Sequence, residues 1–229
     1  MGRLLLIGLA SLALLAGGCG GGGGGSKSNG EADKTAKEIL ADAKVAAKKA
    51  SSVHFHGSIV ESGTPLKVDI QIDGTKGGKG SLTIQGAKVE IVRIGNEAYL
   101  KGSTAFYTQI AGAVAAKLLK GKWLKGSATS GDLAALAALT DINKLFDAAL
   151  KPTGTITKGK EATVDGQEVI GIDSSDGGTL YVSTTGEPYP IEITQASGNS
   201  TGTVHFDQWN EMVDVKAPPN AVDVSKLNG

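Results

Sequence analysis

The segment Gly198-Asn199-Ser200-Thr201-Gly202 has the spacing of the G-x-S-x-G turn that presents a nucleophilic serine, and His205 and Asp207 follow it closely. That chemistry needs a strand before the serine, a helix after it, and a histidine and an acid from distant segments. Here an alternating strand pattern follows at once, and the histidine and acid are too near in sequence to fold back onto Ser200. We therefore interpret the segment as a hairpin turn and predict no catalytic residues and no enzymatic activity.

The residues best suited to bind a metal ion are the three histidines of the chain, His54, His56 and His205. They flank Phe55 and Phe206 in strand patterns, so if both phenylalanines face the core, all three imidazoles face outward. The histidines could form a metal site if the first and last long strands are neighbours. No fourth ligand and no spacing motif is apparent, so we predict solvated surface histidines, with no metal and no cofactor.

Charged and glycine-rich segments elsewhere favour structural roles. Gly74 to Ser81 lacks the G-K-[ST] ending of a phosphate-binding loop and reads as a hairpin loop. The lysine series Lys117, Lys120, Lys122 and Lys125 is either a solvated helix face or a surface that attracts anionic lipid headgroups. The 23 basic and 23 acidic residues balance, which argues against a nucleic-acid partner.

The only cysteine, Cys19, lies between an apolar run, Leu4 to Leu15, and six glycines, Gly20 to Gly25. A short positive start, twelve apolar residues and small residues before the cysteine describe an export signal. This run is too short to span a bilayer. A lone cysteine cannot form a disulfide within the chain.

The residues Leu15-Ala16-Gly17-Gly18-Cys19 resemble the lipobox of bacterial lipoproteins, in which the thiol receives diacylglycerol and the signal is cut just before it. The alternative is an ordinary secretory signal with a coincidental cysteine. We predict a signal peptide over residues 1–18, an acylated cysteine with a flexible glycine-rich tether over 19–31, and one domain over 32–229. Acylated Cys19 would hold the protein on the extracytoplasmic face of the cell membrane.

The patterns beyond the tether predict an α+β fold. Glu31 to Ala50 has helical spacing with Asp33 as a plausible N-cap, and the apolar period changes to two from Val53 onward. About ten short strands separated by turn signals predict a strongly curved antiparallel sheet. Two helical segments, Thr104 to Lys120 and Asp132 to Leu150, interrupt the strands as an inserted pair.

This order of elements is similar to that of the LppX/LprG lipoproteins, which share the LolA-like fold. The local matches, spread from about Ala32 to Val224, are Lys122-Trp123-Leu124, Thr163 to Gly171, Leu180 to Ser183 with Gly186-Glu187-Pro188, and Val204 to Trp209 with Val215 to Pro218. The resemblance implies an open half-barrel closed by the inserted helical pair and the N-terminal helix. It also implies a hydrophobic cavity that carries a lipid or glycolipid, with no catalytic residues.

We expect the apolar faces of the strands and inserted helices to surround the ligand. The predicted lining is Phe55, Ile59, Val68, Ile70, Leu82, Ile84, Ile91 and Leu100, and the predicted lid is Phe106, Ile110, Val114, Leu136, Ile142 and Phe146. The same residues would line a filled core, so the pattern does not separate the two. Expected partners of this monomer are the lipid ligand and the membrane, with an exporter as a further candidate. The alternative function is an extracytoplasmic sensor or interaction domain without lipid, which a solid core and an exposed apolar patch would favour.

Overall fold

The computed structural model describes residues 27–131, 133–198 and 200–226. The predicted signal peptide, Cys19 and the six glycines Gly20 to Gly25 lie outside the described residues. No helix in the described part of the chain is long and apolar enough to cross a membrane.

The described residues form one large unclosed, curved sheet with four α-helices, so the predicted α+β class is confirmed, with twelve strands instead of about ten. The strands are β1 (Ser52–Glu61), β2 (Thr64–Asp73), β3 (Gly77–Ile84), β4 (Ala87–Ile94), β5 (Glu97–Gly102), β6 (Leu124–Ser127), β7 (Ile156–Val164), β8 (Gln167–Ser174), β9 (Gly178–Ser183), β10 (Pro190–Gln195), β11 (Ser200–Asp207) and β12 (Val222–Asp223). The helices are α1 (Ala36–Lys49), α2 (Thr104–Leu119), α3 (Ala134–Ala138) and α4 (Ile142–Ala149), with short 3-10 helices at Glu31–Asp33 and Val224–Lys226.

Two meanders make up the sheet, in the order β12-β6-β5-β4-β3-β2-β1-β11-β10-β9-β8-β7. Hairpins connect β1 to β5 in one meander and β7 to β11 in the other. The pairing of β1 with β11 joins the two meanders, and only the short β12 runs parallel to its neighbour. The sheet ends at β12 and β7, so it is open.

The structure starts α1 at a different cap from the predicted Asp33. Thr35 is the N-cap: its hydroxyl accepts a hydrogen bond from the Glu38 backbone N–H, and the Glu38 carboxylate accepts one from the Thr35 N–H at 2.9 Å. Asp33 instead belongs to the preceding 3-10 turn. This reciprocal capping box satisfies two backbone donors that a helix start leaves open, and it explains why the helix begins at Ala36.

The prediction of a single helix from Asp132 to Leu150 is wrong, because the segment folds as two helices, α3 and α4. Between them the Thr140 hydroxyl donates to the Ala137 carbonyl at 2.6 Å, and the Asp141 carboxylate caps the start of α4. Thr140 is fully buried and its hydroxyl and carbonyl accept hydrogen bonds from Arg93 at 2.9 and 2.6 Å. Tertiary contacts therefore fix a break that helical periodicity does not reveal.

The apolar side chains form two cores on the inner face of the sheet. The larger core lies between the first meander and α2, α3 and α4, and it includes Phe206 from β11. The smaller core lies where α1 packs on β8 and β9; its buried members are Ala36, Ile39, Ala43, Ile170, Ile172 and Val182. The inserted helices and α1 thus cover different parts of one sheet.

Candidate functional site

Most of the predicted cavity residues lie in the larger core, where they pack against one another. Nine are buried: Phe55, Val68, Ile70, Leu82, Ile91, Leu100, Phe106, Ile142 and Phe146. The ring centroids of Phe146 and Phe206 are 5.3 Å apart, and those of Phe55 and Phe206 are 6.4 Å apart. Ile59, Ile84 and Leu136 are partly buried. The structure thus brings the strand residues and α4 together as packed side chains, and their role in ligand binding stays a prediction.

The predicted lid residues Ile110 and Val114 of α2 are not part of this core, since 63% and 76% of their surfaces are exposed. Between them lies Gly112, whose φ of 81° and ψ of 170° interrupt the helix. The buried residues of α2 are Phe106 and Tyr107 before the break and Ala116 after it. The apolar face expected from a continuous helix is therefore directed in part to solvent.

An apolar hollow lies elsewhere, on the inner face of the second meander between α1 and the end of α4. It measures about 130 Å³, and its apolar lining consists of Leu40, Ala149, Leu150, Pro152, Ile156, Ile172, Leu180 and Ile193. These residues come from α1, the end of α4, the segment after it and the four strands β7 to β10. The strands alternate, so their inward side chains meet on one floor.

Two larger hollows adjoin this one. A hollow of about 520 Å³ shares Leu40, Pro152 and Ile156 with it, and another of about 680 Å³ shares Thr153 and Gln195. The three hollows are therefore adjacent along the segment 150–156. We call the three together the α1 groove.

The rim of the α1 groove is polar, whereas its floor is apolar. Lys37 and Lys44 of α1 border the 520 Å³ hollow, whereas Glu61 and Asp176 border the 680 Å³ hollow. Such a site fits an amphiphile whose chain lies on the floor and whose head stays at the mouth. Of the residues predicted to line a cavity, Ile59 borders this groove. The alternation of apolar residues in β7 to β10 was the signal that could have located it.

The candidate nucleophile Ser200 is not assembled into a catalytic triad. Its hydroxyl contacts the carboxylate of Glu61, while His205 lies five residues along β11, roughly 16 Å away on the opposite face of the strand. The turn predicted over Gly198 to Gly202 is only partly right, because Ser200 to Gly202 belong to β11 and pair with β1. The hairpin loop predicted over Gly74 to Ser81 is shorter, because Gly74 lies in the β2–β3 turn but Gly77 to Ser81 belong to β3.

Comparison with known proteins identifies the fold. No protein-family model matches the sequence, and neither does any curated protein. The structure of LprF from Mycobacterium bovis is similar with a TM-score of 0.56 at 15% identity, covering 85% of this chain and 99% of that one. The Mycobacterium tuberculosis lipoprotein LppX is similar with a TM-score of 0.52 at 16% identity, covering 79% and 99%. The resemblance predicted from the sequence is thus confirmed at the level of the fold.

Proposed function

We propose that this chain, which has the fold of LprF and LppX, is a membrane-anchored extracytoplasmic lipoprotein without enzymatic activity that binds a lipid or glycolipid in the α1 groove. The observation that carries the proposal is the apolar floor formed by β7 to β10 beneath α1, with lysines on one rim. Ligand sites of this kind are concave, mostly apolar and bordered by a few polar groups.

The dimensions of the groove restrict the ligand. The apolar hollow of about 130 Å³ is smaller than the roughly 300–1,000 Å³ of ordinary ligand pockets, but the adjoining hollows open it on two sides. One acyl chain could lie across the floor, gaining about 0.8 kcal/mol for each buried methylene. A ligand with several chains would have to displace the segment 151–155, whose residues are all exposed.

The first described residues lie against the second meander, and this position favours a short tether. Ser28 pairs with Thr185, and the Asn29 amide donates to the carbonyls of Ser183 and Gly186 at 3.0 and 3.1 Å. The last residues of the predicted tether are therefore bound to the β9–β10 turn. If Cys19 is acylated, the remaining eight residues give a reach of about 15 Å, which would hold this turn near the membrane.

The experiment that tests lipid binding separates noncovalent lipid from the anchor. The full chain is produced in a bacterium that processes lipoproteins, and solvent-extractable lipid is measured by mass spectrometry. We expect extractable lipid with the wild type and with Ile94→Trp, a control on β4 outside the groove, and several-fold less with Ile193→Trp, which fills the floor. No extractable lipid from any of several hosts, or equal amounts from both variants, would contradict the proposal.

One observation favours a second candidate, an interaction domain that docks without a lipid cargo. Ile110, Val114 and Leu118 are large apolar side chains exposed on α2, which we call the exposed stripe. Residues 98–131 contain five lysines but no aspartate or glutamate. Lys117, Lys120 and Lys122 are exposed and have no ion-pair partner among the described residues. An apolar stripe beside unpaired cations fits an anionic bilayer surface, where each lysine contributes about 1 kcal/mol.

A further inference from the structure

The three histidines form one row on the outer face of the sheet, opposite the α1 groove. In the antiparallel pairing of β1 with β11, His56 lies directly opposite His205 and His54 lies opposite Asp207. Phe55 and the neighbouring Phe206 are buried on the inner face, so the histidine side chains are directed outward as predicted. The ring centroids are 4.9 Å apart for His54 and His56, and 5.3 Å apart for His56 and His205.

Asp207 joins two of the imidazoles, and it is the ligand that the sequence pattern did not reveal. One carboxylate oxygen lies 2.7 Å from Nδ1 of His54, and the other lies 3.5 Å from Nε2 of His56. Donor atoms from these three side chains all lie within 4.8 Å of one another. Small side-chain rotations would bring them to the spacing that a single ion requires.

Further carboxylates lie within 3.3 Å of ring nitrogens of His54 and His205. Nε2 of His54 lies 3.1 Å from Asp69, and Nδ1 of His205 lies 3.0 Å from Asp165 and 3.3 Å from Glu192. In metal sites, a carboxylate on the second ring nitrogen fixes the tautomer of a ligating histidine and raises its basicity. Four carboxylates around three imidazoles also make the cluster attractive to a cation.

We propose that His54, His56 and Asp207 bind a divalent transition-metal ion of the Zn²⁺ type, with His205 beside the open fourth position. Two imidazoles and one carboxylate with an open position are a ligand set that zinc accepts. The nitrogen ligands disfavour Ca²⁺ and Mg²⁺, which prefer oxygen. The ion would connect β1 to β11 and thereby fasten the two meanders at the one pairing that joins them.

The test is a calorimetric titration of Zn²⁺ into the full chain, purified in detergent and stripped of metal with EDTA. Because the Cys19 thiol could also bind zinc, every variant is made in a Cys19→Ser background. We expect one equivalent of Zn²⁺ to bind, and roughly tenfold or greater weakening in both His56→Ala and Asp207→Asn. Glu90→Gln, which removes a carboxylate from the outer face of β4, is the matched control and should retain the parental affinity.

A second measurement distinguishes loss of the metal site from misfolding of the variant. Zn²⁺ should raise the thermal unfolding midpoint of the parent, because its ligands come from both meanders, and should not raise that of His56→Ala. Unfolding without metal shows whether each variant folds, and Asp207→Asn keeps the shape of the side chain if His56→Ala does not fold. Absence of zinc binding by the parent, unchanged affinity in Asp207→Asn, or equal affinity for Ca²⁺ would overturn the proposal. None of these outcomes depends on lipid binding.

Discussion

The helices α2 and α4 are both rich in apolar residues, yet α4 buries its apolar face and α2 buries only part of its own. Ile142, Phe146 and Leu150 recur at every fourth residue of an unbroken segment, and all three are at most 2% exposed. On α2 the same spacing joins Ile110 and Val114 across the break at Gly112, and both are exposed. The comparison teaches that apolar residues at every fourth position do not by themselves place a helix face in the core.

The largest expected change in stability comes from a substitution in α4. Phe146→Ala should lower the free energy of unfolding by about 3–5 kcal/mol, because it leaves a cavity between two aromatic partners. The Phe146 ring centroid lies 5.3 Å from that of Phe206 and 5.5 Å from that of Trp209. Urea unfolding measures the change. A loss below about 1 kcal/mol would mean that α4 is no better packed than α2.

The next effect concerns the buried link between α3 and α4. Arg93 is 7% exposed and donates to Thr140 and to the carbonyls of Thr75 and Gly95. Burial lowers the pKa of Arg93 from its ordinary value. Arg93→Met should cost about 2–3 kcal/mol, because buried carbonyls lose their partners.

The control for this substitution is Lys144→Met, which removes an exposed cation from α4 itself. Its free energy of unfolding should stay within about 0.5 kcal/mol of the wild type. If Arg93→Met is equally neutral, the guanidinium does not hold the link in place, and α4 owes its position to apolar packing alone.

Local patterns could predict the elements of the sheet but not its long-range contacts. Alternation located nearly all the strands, because each strand of an antiparallel sheet repeats its own pattern. The break at Thr140 depends on Arg93, which lies 47 residues away in sequence, and no local pattern encodes that contact. Gly78 is a second distant residue that shapes this break. A Cβ at Gly78 would lie only 2.9 Å from the Cβ of Thr140, so the glycine leaves room for the Thr140 side chain.

The candidate site was harder to predict than the fold. Both meanders show the same apolar alternation, so sequence alone could not tell which inner face is filled. The larger core is closed by the rings of Phe146 and Phe206, whereas the floor near Ile193 is covered by α1 and the segment 150–156. Likewise the pairing of β1 with β11, which unites the histidines, spans about 150 residues of sequence.

Removal of the helix caps gives a smaller effect that compares the two helices directly. The Asp141 carboxylate accepts hydrogen bonds from the backbone N–H groups of Asn143 and Lys144 at 3.1 and 3.2 Å. The Ser103 hydroxyl accepts one from Phe106 at 3.2 Å at the start of α2. Asp141→Ala should cost about 1–2 kcal/mol, because two backbone donors lose their acceptor, and Ser103→Ala about 0.5 kcal/mol, because only one does.

Equal costs in urea unfolding would contradict this difference between the helices. Asp141→Asn is the matched variant, because asparagine is also a good N-cap and retains the acceptor. Its stability should lie close to that of the wild type. A loss as large as that of Asp141→Ala would indicate that the charge of Asp141 matters and not its capping hydrogen bonds.

The smallest effect on stability belongs to the exposed face of α2. Replacing Ile110 and Val114 together by serine should change the free energy of unfolding by less than about 0.5 kcal/mol, since neither side chain is buried. The same double variant should bind anionic vesicles of phosphatidylglycerol and phosphatidylcholine several-fold more weakly, as measured by co-sedimentation of the chain from residue 19 onward with Cys19→Ser. Val45→Ser, which removes an exposed apolar side chain from α1, should leave vesicle binding unchanged.

The two measurements together decide what the exposed stripe on α2 contributes. Unchanged stability with weaker vesicle binding would show that the break at Gly112 releases apolar surface for a membrane. If neither the free energy of unfolding nor vesicle binding changes, the exposed stripe does not contact a bilayer, and a protein partner is left as the group that covers it. A stability loss above about 2 kcal/mol would contradict the comparison itself, because it would mean that α2 packs as α4 does. Apolar surface that adds nothing to folding can still strengthen contact with an anionic bilayer, because membrane binding grows with buried apolar area and with attraction between cations and lipid headgroups.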